Sequence, residues 1–178
     1  MARQLWGRFP FEQAIAFLYF QKGSRVQNLM HQLKYNKRPE IGIMLGELFA
    51  YQLLRSEGWK KADFIIPVPL HPTKLKKRGY NQSEQISLGL ASILQLPLST
   101  NHLVRITHTE TQTKKSRYGR YENLKDTFSV KNDSQLSHKH VMLVDDVMTT
   151  GATLEACSLE LLKVEGLKIS ICTIAFTE

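Results

Sequence analysis

The run Val141-Met142-Leu143-Val144-Asp145-Asp146-Val147-Met148-Thr149-Thr150-Gly151-Ala152-Thr153-Leu154 gathers the side chains best suited to chemistry. Four apolar residues deliver two carboxylates to the carboxyl end of a strand, and three hydroxyls with a glycine then turn the chain into the start of a helix. Free amides and hydroxyls at a helix start bind a phosphate monoester, and Gly151 lets the backbone come close. Asp145 and Asp146 repel phosphate, accept hydrogen bonds from a vicinal diol, and also suit Mg2+ or its waters. Phosphate at one end and a diol at the other describe a ribose 5-phosphate. Alone, an acidic pair ends a strand and a Thr-Thr-Gly is a capped turn, so the conjunction carries the signal. The glycine-lysine pattern of a P-loop and the glycine spacing of a dinucleotide fold are both absent.

The elements that must position these groups follow from periodicity. Val26, Leu29, Met30 and Leu33 fall at helical spacing, and Leu45, Leu48, Phe49 and Leu53 continue a second amphipathic pattern after Pro39. Phe64-Ile65-Ile66 reads as a short buried strand stopped by Pro67-Val68-Pro69. Ser83 is placed to cap a helix burying Ile86, Leu90, Ile93 and Leu94, which ends before Pro97. His102 to Ile106 reads as a strand, and Phe128 to Val130 as a return to the sheet. Val141 to Val144 forms a fully buried strand that Asp145-Asp146 ends; a helix through Leu154, Cys157, Leu161 and Leu162 stops near Gly166, and Lys168 to Phe176 is the last strand. Between them, His108 to Lys125 is polar, basic and aperiodic, as in an exposed functional loop. Strands alternating with helices predict an α/β fold: a mainly parallel sheet with helices on both faces and ligands at the carboxyl ends of its strands.

The chain has 178 residues with 24 Lys+Arg against 16 Asp+Glu, a net charge of +8. That length fits one core. Its 42% hydrophobic content excludes wholesale disorder, and no apolar run approaches the ~20 residues of a membrane helix. A cytoplasmic protein is the expectation. Only Cys157 and Cys172 occur, too few for a disulfide framework or a four-cysteine zinc site. The positive excess lies between Arg25 and Arg38, at Lys74, Lys76, Lys77 and Arg78, and at Lys114, Lys115, Arg117 and Arg120, where Tyr118 and Tyr121 are interleaved. Such charge attracts polyanions, whether phosphorylated metabolites, nucleic acid or anionic membranes.

Across Val141 to Thr153 the chain resembles the phosphoribosyl-pyrophosphate motif of type I phosphoribosyltransferases. Leu33-Lys34-Tyr35, Pro67-Val68-Pro69-Leu70-His71, Arg78-Gly79-Tyr80-Asn81-Gln82, and Arg105 with Thr109, Gln112, Arg117, Arg120, Asn123 and Phe128 then resemble, in order, the ComF/GntX-type branch. The likeness covers about Gly23 to Phe176. It implies that Asp145 and Asp146 hold the ribose hydroxyls, with Mg2+ bound directly or through water, and that Val147, Met148, Thr149, Thr150, Gly151, Ala152 and Thr153 cradle the 5-phosphate. Pro69, His71, Lys74, Lys77 and Arg78 would form the pyrophosphate loop, where the planar fork of Arg78 suits phosphate oxygens and gives it a catalytic part beside the two acids. Lys114, Arg117 and Arg120 would sit on a mobile loop closing over the leaving group. Residues 1–37 would form a small hood element and 38–178 the core domain. Many ComF-type proteins begin with a four-cysteine zinc ribbon, whereas here no cysteine precedes Cys157, so no zinc is expected.

Two functions compete. One is Mg2+-dependent transfer of phosphoribose from phosphoribosyl pyrophosphate to a nitrogen nucleophile, with His71 or His108 as candidate bases. The other is a non-catalytic competence accessory protein that retains the pocket and binds single-stranded DNA, or other competence proteins, through its basic loops and Tyr80, Tyr118 and Tyr121. The acceptor and the oligomeric state are not legible in the residues.

Overall fold

The computed structural model describes residues 1–59, 61–106 and 127–177. In chain order the elements are α1 (Ala2–Leu5), β1 (Gln13–Tyr19), α2 (Arg25–Tyr35), α3 (Pro39–Arg55), β2 (Phe64–Pro67), α4 (Pro72–Arg78) and α5 (Gln82–Leu94). They are followed by β3 (Leu103–Arg105), β4 (Phe128–Val130), a 3-10 turn (Asp133–Gln135), β5 (His140–Met148), α6 (Ala152–Leu161) and β6 (Lys168–Phe176). Four parallel strands form the central sheet in the order β1-β6-β5-β2.

Alternation along the buried strands builds a core on each face. Val141, Leu143, Ile169 and Ile171 pack with Leu154, Cys157 and Leu161 of α6 and with Leu103 and Phe128. Met142, Val144, Cys172 and Ile174 turn the other way, onto Leu33 of α2, Leu45, Phe49 and Leu53 of α3, and Ile86 and Leu90 of α5. Each such fully buried side chain contributes ~1.5–3 kcal/mol of transfer free energy. The expected α/β architecture is therefore observed, with helices on both faces of a parallel sheet.

Three local expectations change. β5 continues through the acidic pair, because β6 is equally long and pairs with it as far as Met148 opposite Phe176. The carboxylates are thus fixed inside a strand. β4 does not rejoin the main sheet; it pairs antiparallel with β3 in a separate two-stranded ribbon. β1 was not anticipated, since Gln13–Tyr19 is an edge strand of mostly half-buried residues without clean alternation. The boundary expected after Lys37 falls between α2 and α3, and the elements before it pack with those after it. β1 pairs with β6, Leu5 and Phe9 enter one core, and Met30 and Leu33 enter the other.

Helices α3 and α5 meet backbone to backbone. A Cβ at Gly89 would stand 2.0 Å from the Ile43 carbonyl oxygen, and one at Gly46 would stand 2.1 Å from that of Ile86. Only hydrogen fits there.

Candidate functional site

β2 pairs with β5 only as far as Pro67 opposite Val144, and the Val68 amide makes a last bond to the Val144 carbonyl at 2.8 Å. Pro69 and Pro72 then take the chain away into α4. Beyond that point Asp145 to Met148 keep β6 on one side, while the amino end of α5 approaches on the other. This is the crevice where parallel sheets bind ligands.

The two carboxylates are held differently. Asp145 accepts a hydrogen bond from the Ser83 hydroxyl at 3.0 Å and another from the Asp146 amide at 2.9 Å. Burial, reinforced by the charge of Asp146, pushes the Asp145 carboxyl up to about 7. Asp146 instead pairs with Lys34 at the end of α2, Oδ2 to Nζ at 2.8 Å, and accepts from the Val147 amide at 2.6 Å. Ser83 was expected to cap α5. The cap is Asn81, whose side chain accepts from the Ser83 amide at 3.2 Å and donates to the Val68 carbonyl at 3.0 Å, which frees the Ser83 hydroxyl for Asp145.

After Met148 the chain turns through Thr149, Thr150 and Gly151 into α6. A pocket of about 40 Å3 lies there, lined by Asp145 and residues 147–154, so the whole expected cradle, Val147, Met148, Thr149, Thr150, Gly151, Ala152 and Thr153, does come together. Gly151 has φ +76°, and a Cβ on it would lie 2.9 Å from both Leu5 Cδ2 and Arg8 Nη1. The positive φ favours glycine, and any side chain there would also have to push the ends of Leu5 and Arg8 aside. Arg8 braces the turn from outside, with Nη1 donating to the Thr150 carbonyl at 2.6 Å and Nε to Glu155 Oε2 at 2.9 Å. Sequence reading passed over Arg8.

The expected pyrophosphate loop divides. Lys74, Lys77 and Arg78 line a second pocket of about 220 Å3 together with Lys34, Tyr35 and Lys37. Pro69 and His71 are not in its lining. His71 caps α4, its Nδ1 accepting from the Thr73 amide at 3.2 Å. The three residues from α2 and its end had been read only as part of a resemblance and a charge run. They belong to the pocket because Tyr80 donates to the Leu33 carbonyl at 2.5 Å and the Arg78 guanidinium lies over the Tyr35 ring, 5.4 Å from its centroid. Arg78 also donates to Gln82 Oε1 at 2.6 Å. His108, Lys114, Arg117 and Arg120 lie outside the described residues.

Both cysteines are buried, in surroundings that disfavour the thiolate. Burial pushes Cys172 up to about 12 and, with the nearby Asp145, raises Cys157 well above the ordinary thiol range. Among the described residues no group of three or more His, Cys, Asp or Glu side chains converges on a metal position. Asp145 and Asp146 are nonetheless a hard-oxygen pair whose buried charge is balanced in part, by Lys34. That suits a cation such as Mg2+, which takes one or two carboxylates and completes its shell with water and ligand oxygens.

A parallel α/β sheet with two acids and a phosphate-sized turn at the end of a central strand defines a phosphoribosyltransferase-type domain. The chain belongs to the family described as the phosphoribosyl transferase domain, which matches residues 32–177. Within it the relatives are of the ComF type. Competence protein F of Haemophilus influenzae is 40% identical over 105 residues, covering 58% of this chain and 46% of that protein. DNA utilization protein YhgH of Salmonella typhimurium is 36% identical over 128 residues, or 70% of this chain and 56% of that protein. Competence protein ComFC of Bacillus subtilis is 36% identical over 90 residues, 51% and 34%. The chain thus spans about half the length of the curated relatives it matches, or less. Among solved structures, the allosteric regulatory enzyme of purine biosynthesis superposes with a TM-score of 0.51 at 18% identity, over 79% of this chain and 29% of that one. The glutamine phosphoribosylpyrophosphate amidotransferase of B. subtilis gives 0.50 at 18% identity, over 79% and 30%. These two likenesses concern the fold. Among the described residues no helix is long and apolar enough to cross a membrane.

Proposed function

We propose that the chain binds phosphoribosyl pyrophosphate with Mg2+ and transfers its phosphoribosyl group to a nitrogen nucleophile. One observation carries the reading: the acidic pair joins two pockets of different chemistry. Asp145 lines the small polar pocket at the start of α6, and Asp146 is paired to a residue that lines the basic pocket by α4. A sugar diol on the carboxylates then places a 5-phosphate in the first and a diphosphate in the second.

The hydroxyls and amides of residues 149–153 anchor the phosphate, and Asp145 and Asp146 accept from the ribose hydroxyls and fix the ring. As the bond from the anomeric carbon to the diphosphate oxygen breaks and the nitrogen–carbon bond forms, negative charge grows on the leaving group. Lys74, Lys77 and Arg78 offer positive charge where it grows. Mg2+ on Asp145 or Asp146, directly or through water, would add neutralisation of the diphosphate. Calorimetry with phosphoribosyl pyrophosphate and Mg2+ tests the reading. Wild-type protein should bind, and Asp145→Asn with Asp146→Asn should abolish binding; absence of any wild-type heat defeats the proposal.

A second reading has its own support. Lys37, Lys76, Lys77 and Arg78 with Tyr80 line a further open pocket of about 340 Å3 beside the basic one, so cationic surface continues past what one small ligand needs. With relatives named for competence and DNA utilization, a role in DNA uptake with single-stranded DNA on this surface is the alternative. DNA binding that survives physiological salt, and that the double Asp variant leaves intact, favours it.

A further inference from the structure

Among the described residues, Lys34 alone both lines the basic pocket and forms an ion pair with one of the two acids. Its ammonium contacts Asp146 at 2.8 Å, with the two side chains 24% and 13% exposed, and the residue lines the basic pocket with Lys37, Lys74, Lys77 and Arg78. Its helix end is not free to drift. Leu33 is fully buried, its carbonyl is held by the Tyr80 hydroxyl, and Tyr35 lies under Arg78. Movement is thus confined to the flexible lysine stem, which reaches an acid on one side and a cationic pocket on the other. Among the described residues no ion pair engages Lys37, Lys74 or Lys77, so in the resting protein Lys34 alone of the pocket's lysines is spent on a carboxylate.

We infer that Lys34 is an exchangeable counterion: it neutralises Asp146 while the site is empty and transfers to the ligand's diphosphate when sugar hydroxyls or a cation take over Asp146. The inference rests on the proposed phosphoribosyl pyrophosphate site and adds a coupling to it. Filling Asp146 releases a cation into the neighbouring pocket, so a ligand carrying both a diol and a diphosphate gains more than its two parts do separately. It also sets a threshold, because a cation alone must displace an ammonium already in place.

The probes are inorganic pyrophosphate in chelator, Mg2+ alone, and ribose 5-phosphate, each titrated by calorimetry. With ribose 5-phosphate saturating, so that its hydroxyls hold Asp146, Lys34→Met should weaken pyrophosphate at least about fivefold, and Mg2+ alone should bind the variant severalfold more tightly, opposite signs that loss of a merely structural ion pair does not produce. Asp146→Asn should tighten pyrophosphate severalfold in the wild-type background and leave it unchanged when combined with Lys34→Met. Lys34→Arg, which keeps the charge, should retain pyrophosphate binding and shows that the position tolerates substitution. Unchanged pyrophosphate affinity in Lys34→Met at saturating ribose 5-phosphate, or weakened Mg2+, overturns the inference while ribose 5-phosphate binding leaves the site reading standing. Failure of wild-type protein to bind ribose 5-phosphate and pyrophosphate defeats the site reading and this inference with it.

Discussion

The two pockets flanking the acidic pair offer opposite means of holding the anions proposed for them. The one at the start of α6 is small, about 40 Å3, and is built almost wholly from one contiguous turn. The one by α4 is about 220 Å3 and is built from long cationic side chains brought from two separate segments. Backbone donors are fixed when the strand and helix fold, so they select by shape. Exposed lysines select by charge, adapt to the ligand and weaken with salt. On the proposed function, the phosphate that stays on the sugar takes the rigid pocket, and the one that departs sits among mobile cations.

Variants that uncouple the pockets test the contrast. The largest effect is expected from Gly151→Ala, which forces a side chain into φ +76° and against Leu5 and Arg8. Strain of about 1–3 kcal/mol and a misplaced turn should cost ribose 5-phosphate about 100-fold in affinity, with pyrophosphate little changed by calorimetry. Equal loss of both ligands ends the idea of separate pockets. Next, Lys74→Ala with Lys77→Ala should weaken pyrophosphate about tenfold, the worth of one charge-assisted hydrogen bond of ~1.5 kcal/mol, and flatten its salt dependence. Ribose 5-phosphate affinity should barely move. Arg8→Met removes the outside brace of Thr150 and should cost ribose 5-phosphate severalfold, about 1 kcal/mol. An effect of Arg8→Met on pyrophosphate instead would place the brace in the wrong pocket.

The smallest effect concerns stability. The Asp145 carboxyl is raised from 3.8 to about 7 in the fold, so the folded chain binds more protons than the unfolded one between those values. Stability therefore falls as pH rises through this window and is level above it. Asp145→Asn keeps an acceptor for Ser83 and removes the penalty. In chelator its melting temperature should match wild type near pH 4 and exceed it by about 2–6 °C at pH 8. A gain that is largest at acid pH contradicts the cause assigned here.

What sequence showed of the site tracks how local each contact is. The acids and the cradle are contiguous, so residue types alone exposed them. The parallel strands β2, β5 and β6 were legible as buried apolar runs. Ser83 reaches Asp145 across 62 positions and Arg8 reaches Thr150 across 142, and no local pattern announces either. Ser83 looked like a cap because it stands two residues past the real one, Asn81. Lys34 appeared within a charge run and a family-like tripeptide, yet its pairing depends on α2 folding back over the sheet. The end of β5 was misjudged for a related reason: acids commonly stop strands, but the ladder to β6 outweighs that tendency.

The bare glycine contact between α3 and α5 acts on the site from a distance. Gly89 and Ser83 lie on one rigid helix, six residues or about 9 Å apart. Since α3 meets α5 backbone to backbone at Gly46 and Gly89, the contact works as a ruler that sets how far the Ser83 hydroxyl projects toward β5. A methyl group added at Gly89 would reach the acidic pair as a displacement of the helix end, and on the proposed function would register as a loss of ligand binding with every ligand-contacting residue unchanged.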